Sequence, residues 1–130
     1  MGTVRILVFG NPLVAEDSIA LKILPLLRKR FPTIAFVEFD AVEDLEKEGS
    51  DLTILDAVEG IEKVSVLTDI DSFENTKRFS MHDFDLGQSL KLLKAMGLLK
   101  TVNIIGIPMT YPAKKAFSEI VPVIEAMERA

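Results

Sequence analysis

The chain has 130 residues, ordinary for one domain and too short for two full cores, so a single domain over residues 1–130 is expected. Its formal charge of −5 argues against a nucleic-acid partner, whose phosphates are held by clustered Lys and Arg. Cysteine is absent, which excludes disulfides, thiolate metal sites and cysteine nucleophiles and leaves any chemistry to oxygen and nitrogen groups.

The pattern opens at residues 4–9, Val-Arg-Ile-Leu-Val-Phe, a near-continuous aliphatic run expected of a strand covered on both faces. Gly10-Asn11-Pro12-Leu13 breaks it. A helix is expected over about residues 15–30, with Ile19, Ala20, Ile23, Leu24 and Leu27 on one face, a kink at Pro25 and a stop at Pro32. The basic cluster Arg28, Lys29 and Arg30 then falls at the helix end, where it complements the dipole. A second strand over 34–39 and a short acidic helix over 42–48 follow. Gly49-Ser50 turns into a third strand that is expected to run from 51 and end on Asp56. A fourth strand covers roughly 64–67, and a polar loop leads to His82. A helix over 84–95 closes at Gly97, a fifth strand covers 102–107, and a last helix covers 114–128.

Hydrophobic residues make up 48% of the chain, enough to cover a sheet on both faces. No apolar run approaches the roughly 18 residues that a membrane span requires. The start also lacks the basic region, apolar core and cleavage site of a signal peptide, so a cytoplasmic protein without membrane insertion is expected. Connection lengths set the topology. Strands one and two, one and three, and three and five can each be joined by a helical crossover, which makes neighbours parallel. The link from Asp56 to Val64 is shorter than the dozen or so residues a crossover requires, so the fourth strand should run antiparallel. The expected fold class is α/β: a three-layer α/β/α sandwich around a mostly parallel five-stranded sheet with one antiparallel strand.

Sites in open α/β sheets gather beyond the carboxyl ends of the parallel strands. Three candidate ligands fall there: Asp17 in the first turn after strand one, Asp56 at the end of strand three, and His82 just before the helix that returns to strand five. The loop from 69 to 81 can span the sheet at about 3.3–3.6 Å per residue. Singly, each has a plain explanation. Asp17 and Glu16 suit a helix's first turn, Asp56 suits a loop cap, and His82 suits a surface loop. Together, two carboxylates and the only histidine fit a first-row divalent cation such as nickel, zinc, iron or manganese. The Gly10-Asn11-Pro12 turn lacks G-x-G-x-x-G and a Walker lysine, and no G-x-S-x-G elbow exists, which disfavours nucleotide binding and serine hydrolysis.

Val8-Phe9-Gly10-Asn11-Pro12-Leu13 with Glu16-Asp17, then Leu55-Asp56-Ala57, His82 with Leu86 behind it, and Ile104-Ile105-Gly106-Ile107 resemble the hydrogenase maturation protease family in the same order over nearly the whole chain. The resemblance implies a phosphorylase/hydrolase-like fold. It also implies an endopeptidase that removes a C-terminal extension from the large-subunit precursor of nickel–iron hydrogenase after nickel insertion. By position, it assigns metal binding to Asp17, Asp56 and His82, with Glu16 a weaker candidate and nickel supplied by the substrate. Asp17 and Asp56 are also the candidate catalytic carboxylates, and Gly10 and Asn11 the candidate substrate-positioning residues. Two stretches depart from the family pattern: the prolyl segment at residues 106–112, where many members carry glutamine, and Ala116-Phe117-Ser118, where Gly-Leu-Ser is frequent. Both stretches lie in the region expected to touch substrate and so bear on which hydrogenase is served. A metal-dependent hydrolase of a small substrate, holding its own cation, and a non-catalytic nickel-binding chaperone are the alternative readings.

Overall fold

The chain's first strand, β1 (Arg5–Phe9), is buried from Ile6 onward on both faces, which its unbroken aliphatic run requires. The structure, a computed structural model, describes residues 4–10, 19–39, 45, 47–68, 80–81 and 84–129. The remaining elements in chain order are α1 (Ile19–Arg30), β2 (Ala35–Phe39), β3 (Asp51–Glu59), β4 (Ser65–Leu67), β5 (Ser80–Met81), α2 (Phe84–Ala95), β6 (Thr101–Pro108) and α3 (Ala113–Arg129).

The sheet order is β2-β1-β3-β6-β4, with β5 paired to β3 off this path. β1 runs parallel to β2 and β3, and β3 parallel to β6 over eight residue pairs from Asp51↔Thr101 to Val58↔Pro108. β4 is antiparallel to β6, as the short connection after β3 demands. Gly60 makes that reversal at φ 90°, a backbone conformation that side chains with a Cβ rarely adopt. The five expected strands and the reversed fourth are therefore present. A further antiparallel strand, the two-residue β5, joins them.

Alternation along the strands divides the core into two layers. Ile6 and Val8 of β1, Leu55 and Ala57 of β3, and Ile105 and Ile107 of β6 face α1 and α3. α1 contributes Ile19, Ala20, Ile23, Leu24 and Leu27, and α3 contributes Ala116, Ile120 and Ile124 at a four-residue spacing. The opposite face carries Leu7, Phe9, Leu52, Ile54, Val102 and Ile104, packed with Leu45, Leu90 of α2, and Leu99. Each large aliphatic side chain so buried contributes about 1.5–3 kcal/mol relative to exposure.

The ends of α1 and α2 are set by local chemistry. Arg28, Lys29 and Arg30 occupy the last turn of α1, and the Arg28 guanidinium donates from Nη2 to the Phe36 carbonyl at 2.9 Å, tying the helix end to β2. α2 closes in a Schellman motif: Leu98 N–H donates to Leu93 O at 2.9 Å, Gly97 N–H to Lys94 O at 3.1 Å, and Gly97 takes φ 76°. The expected acidic helix over 42–48 is described only at 45, 47 and 48, which form a 3₁₀ turn that buries Leu45. Arg5 clasps this turn through Nε and Nη2 to Glu48 Oε1 at 3.0 and 2.7 Å. Among the described residues, no helix is long and apolar enough to cross a membrane.

Candidate metal-recognition site

Alternation along β3 puts Asp56 on the same face as Leu52 and Ile54, the face covered by α2. It is not the last residue of its strand, as the sequence led us to expect, but the sixth of nine. β3 continues because β6 pairs with it as far as Val58 and β5 pairs with Val58 and Glu59. The ladder's hydrogen bonds and burial outweigh the low strand propensity of aspartate. Asp56 nevertheless sits level with the end of β1: Leu55 registers with Val8, so Asp56 is level with Phe9, the last residue of that strand.

Asp56 is 1% exposed and is the sole buried charged or polar residue among the described residues. Its Oδ1 accepts the Ala57 N–H at 2.9 Å, which fixes the carboxylate against the backbone. On one side stands the buried Phe9, and on the other Gly106, its direct register partner in β6. The space a Cβ on Gly106 would take is already filled: such a Cβ would lie 2.9 Å from Val58 Cγ2 and 3.2 Å from Ile61 Cδ1. An aspartate enclosed this way forgoes most of its hydration, a cost that proteins meet by pairing, by hydrogen bonds or by metal coordination.

The other expected ligands, Asp17 and His82, lie outside the described residues, as do Glu16 and Asn11. Their chain neighbours are described. Met81, which precedes His82, registers with Val58, two residues beyond Asp56 on the same strand. Ile19, two residues after Asp17, joins the apolar cluster that contains Ala57 and Ile107 at the carboxyl ends of β3 and β6. Gly10 is half-buried directly after β1. Among the described residues, no group of three or more His, Asp or Glu side chains is placed to hold a metal.

A second polar cluster, which has no local signature in the sequence, lies at the same end of the sheet. Tyr111, just beyond β6, sets its hydroxyl 2.9 Å from Glu62 O and 3.1 Å from both carboxylate oxygens of Glu119 on α3. The Val64 N–H donates to Glu119 Oε1 at 3.2 Å. Lys115 Nζ stands 4.6 Å from the Tyr111 ring centroid, within cation–π range. Partial desolvation, then the hydrogen bond to Glu119 and its negative charge, push the Tyr111 hydroxyl above its ordinary value of 10.0, so it stays a donor. Its only hint in the sequence was that Tyr111 is the sole tyrosine, set between Thr110 and Pro112.

A cavity of about 380 Å³ opens at the other end of β6, lined by Thr68, Lys94, Lys100, Thr101 and Asn103 with Leu99 and Val102. It has neither carboxylate nor imidazole among these residues and so lacks the donors expected of the metal site.

No protein-family profile and no curated protein sequence matches the chain. Solved structures do. The chain shares its fold with the endopeptidase HycI from Escherichia coli. That solution structure aligns over 96% of this chain and 91% of its own at 21% identity, with a TM-score of 0.59. A crystal structure of an uncharacterized protein from Wolinella succinogenes aligns over 98% of this chain and 96% of its own at 15% identity, also at 0.59. The α/β architecture with a mixed sheet is thus common to all three.

Proposed function

We propose that the protein is an endopeptidase that removes the C-terminal extension of the nickel–iron hydrogenase large-subunit precursor, and that it does so after nickel insertion. The observation that carries this reading is the buried Asp56 carboxylate on β3, level with the end of β1, with the chain entering His82 from a strand paired two residues away. The motif resemblance in the sequence and the fold held in common with an endopeptidase support the same reading.

Asp17, Asp56 and His82 recognise the nickel that the precursor carries as part of the substrate. An oxygen- and nitrogen-donor set of two carboxylates and one imidazole suits this ion and leaves coordination positions for the precursor's own ligands. Gly10 and Asn11 position the substrate chain. Water is the nucleophile, because the chain has no cysteine and no serine elbow. Its oxygen adds to the scissile carbonyl carbon while Asp17 or Asp56 takes its proton, and the C–N bond then breaks with a proton passing to the departing amine. Nickel docks the precursor and brings the scissile bond to the carboxylates.

Incubating the protein with nickel-loaded precursor and measuring the precursor's mass tests this directly. One shortened product and one released peptide are expected. Association without shortening would replace the reading with a nickel-binding chaperone. An inert precursor together with a tightly held metal in the isolated protein would replace it with a small-substrate hydrolase.

A further inference from the structure

We propose that Ile61 is an apolar wall of the substrate-binding end beside Asp56, and that Tyr111 and Glu119 act as a latch that positions it. The inference rests on the endopeptidase reading above and adds to it a specificity-determining side chain and two positioning residues.

The turn that carries Ile61 has weak means of its own to hold a shape. Residues 60–64 link two antiparallel strands, begin at the left-handed Gly60, and expose Glu62 and Lys63. What fixes the turn comes from α3 and the segment before it. Tyr111 reaches Glu62 O, the carbonyl that follows Ile61, and Glu119 accepts from Val64 N–H. The two tie points flank the turn immediately after Ile61, and the Tyr111–Glu119 bonds join them to each other. A tyrosine hydroxyl has one proton, so it is shared between the Glu62 carbonyl and the Glu119 carboxylate. The raised Tyr111 pKa favours the protonated hydroxyl, which keeps it a donor.

With the turn held, Ile61 leans over β6. Its Cδ1 stands 3.2 Å from the Cβ position of Gly106, and Gly106 is the register partner of Asp56. The side chain is half-buried, so part of it remains open to solvent. The glycine matters here. Any side chain at 106 would occupy the ground where Val58 and Ile61 now stand. An aliphatic surface beside a buried carboxylate selects an apolar substrate side chain near the scissile bond and disfavours a charged one, which would lose its hydration against Ile61.

The test is steady-state cleavage of nickel-loaded precursor by the wild type, Ile61→Ala, Tyr111→Phe and the double variant, with amide exchange at Val64 read in parallel. Tyr111→Phe keeps the ring beneath the Lys115 ammonium and loses only the hydroxyl bonds. It is expected to raise KM about 3- to 10-fold, the effect of one lost hydrogen bond, with kcat changed less than about twofold. Val64 amide exchange should quicken by a similar factor. Ile61→Ala is expected to raise KM about 10-fold, and the double variant should be no worse than Ile61→Ala alone, because the latch acts through Ile61. Unchanged KM in both single variants, or multiplicative effects in the double, would overturn the inference while leaving the cleavage reading intact. A wild-type protein that leaves the precursor uncut would overturn the functional reading, and the substrate wall with it.

Discussion

Replacing Gly106 by alanine sets two measurable effects against each other. Alanine gains about 0.5–1 kcal/mol over glycine within a strand, because the unfolded chain loses freedom. Against that, the new Cβ would lie 2.9 Å from Val58 Cγ2, 3.2 Å from Ile61 Cδ1 and 3.4 Å from Val58 Cβ. Val58 is fully buried and β-branched, so its methyl has little freedom to turn away. Overpacking of this kind costs about 1–3 kcal/mol. The clash should win, with Gly106→Ala less stable by about 0.5–2 kcal/mol in urea unfolding, seen as a lower midpoint at constant m. The sharper assay is the double-mutant cycle. Val58→Ala removes two buried methyls and should cost about 2 kcal/mol alone. In the pair, the methyl at 106 takes up part of the vacated space, so the double variant should be about 1–2 kcal/mol more stable than the sum of the singles. Additivity within about 0.5 kcal/mol, or a neutral Gly106→Ala, would refute the close approach of Val58 to Gly106.

Three further expectations rest on other parts of the molecule. Asp56→Asn keeps an oxygen to accept the Ala57 N–H, so the fold should persist while precursor cleavage falls at least about 100-fold; full activity in a rate assay would remove Asp56 from the site. The sole tyrosine permits a direct ultraviolet titration, in which Tyr111 should ionise above its ordinary value of 10.0. Because the folded value is raised, its stabilising contribution is fully present below that ordinary value and is lost as pH rises through the folded one. The alkaline loss of stability should therefore be smaller in Tyr111→Phe, and an unraised midpoint would count against the Glu119 contact. Glu48→Ala removes an ion pair whose Arg5 partner is half exposed, so chemical denaturation should show a loss of only about 0.2–1 kcal/mol, smaller in high salt.

The sheet was legible in the sequence to the extent that burial and connection length dictate it. The aliphatic run at residues 4–9 marked a strand covered on both faces, the apolar stretch at 102–107 marked the fifth strand, and the short link after Asp56 marked the reversed strand. α2 was legible because Gly97 supplies the left-handed residue that ends it. Three features were not. β5 is two residues long, too short for any period to show. β3 runs past Asp56 because neighbouring strands pair with it, a tertiary effect that overrides a residue usually found at strand ends. The Tyr111–Glu119–Val64 cluster joins positions 55 residues apart in the chain, and such contacts leave no local signature. Of the candidate site, Asp56 is located at the expected end of the sheet and buried. Asp17 and His82 lie outside the described residues, and their part rests on motif position and on the placement of Ile19 and Met81.

The central claim is that cleavage follows nickel loading, and the rate of precursor shortening with and without nickel tests it most directly. Mass spectrometry over a time course should show the nickel-loaded precursor losing its C-terminal peptide while the nickel-free form persists. That difference should vanish in His82→Ala and Asp56→Asn because neither form is cut. Equal rates for loaded and unloaded precursor would contradict the account.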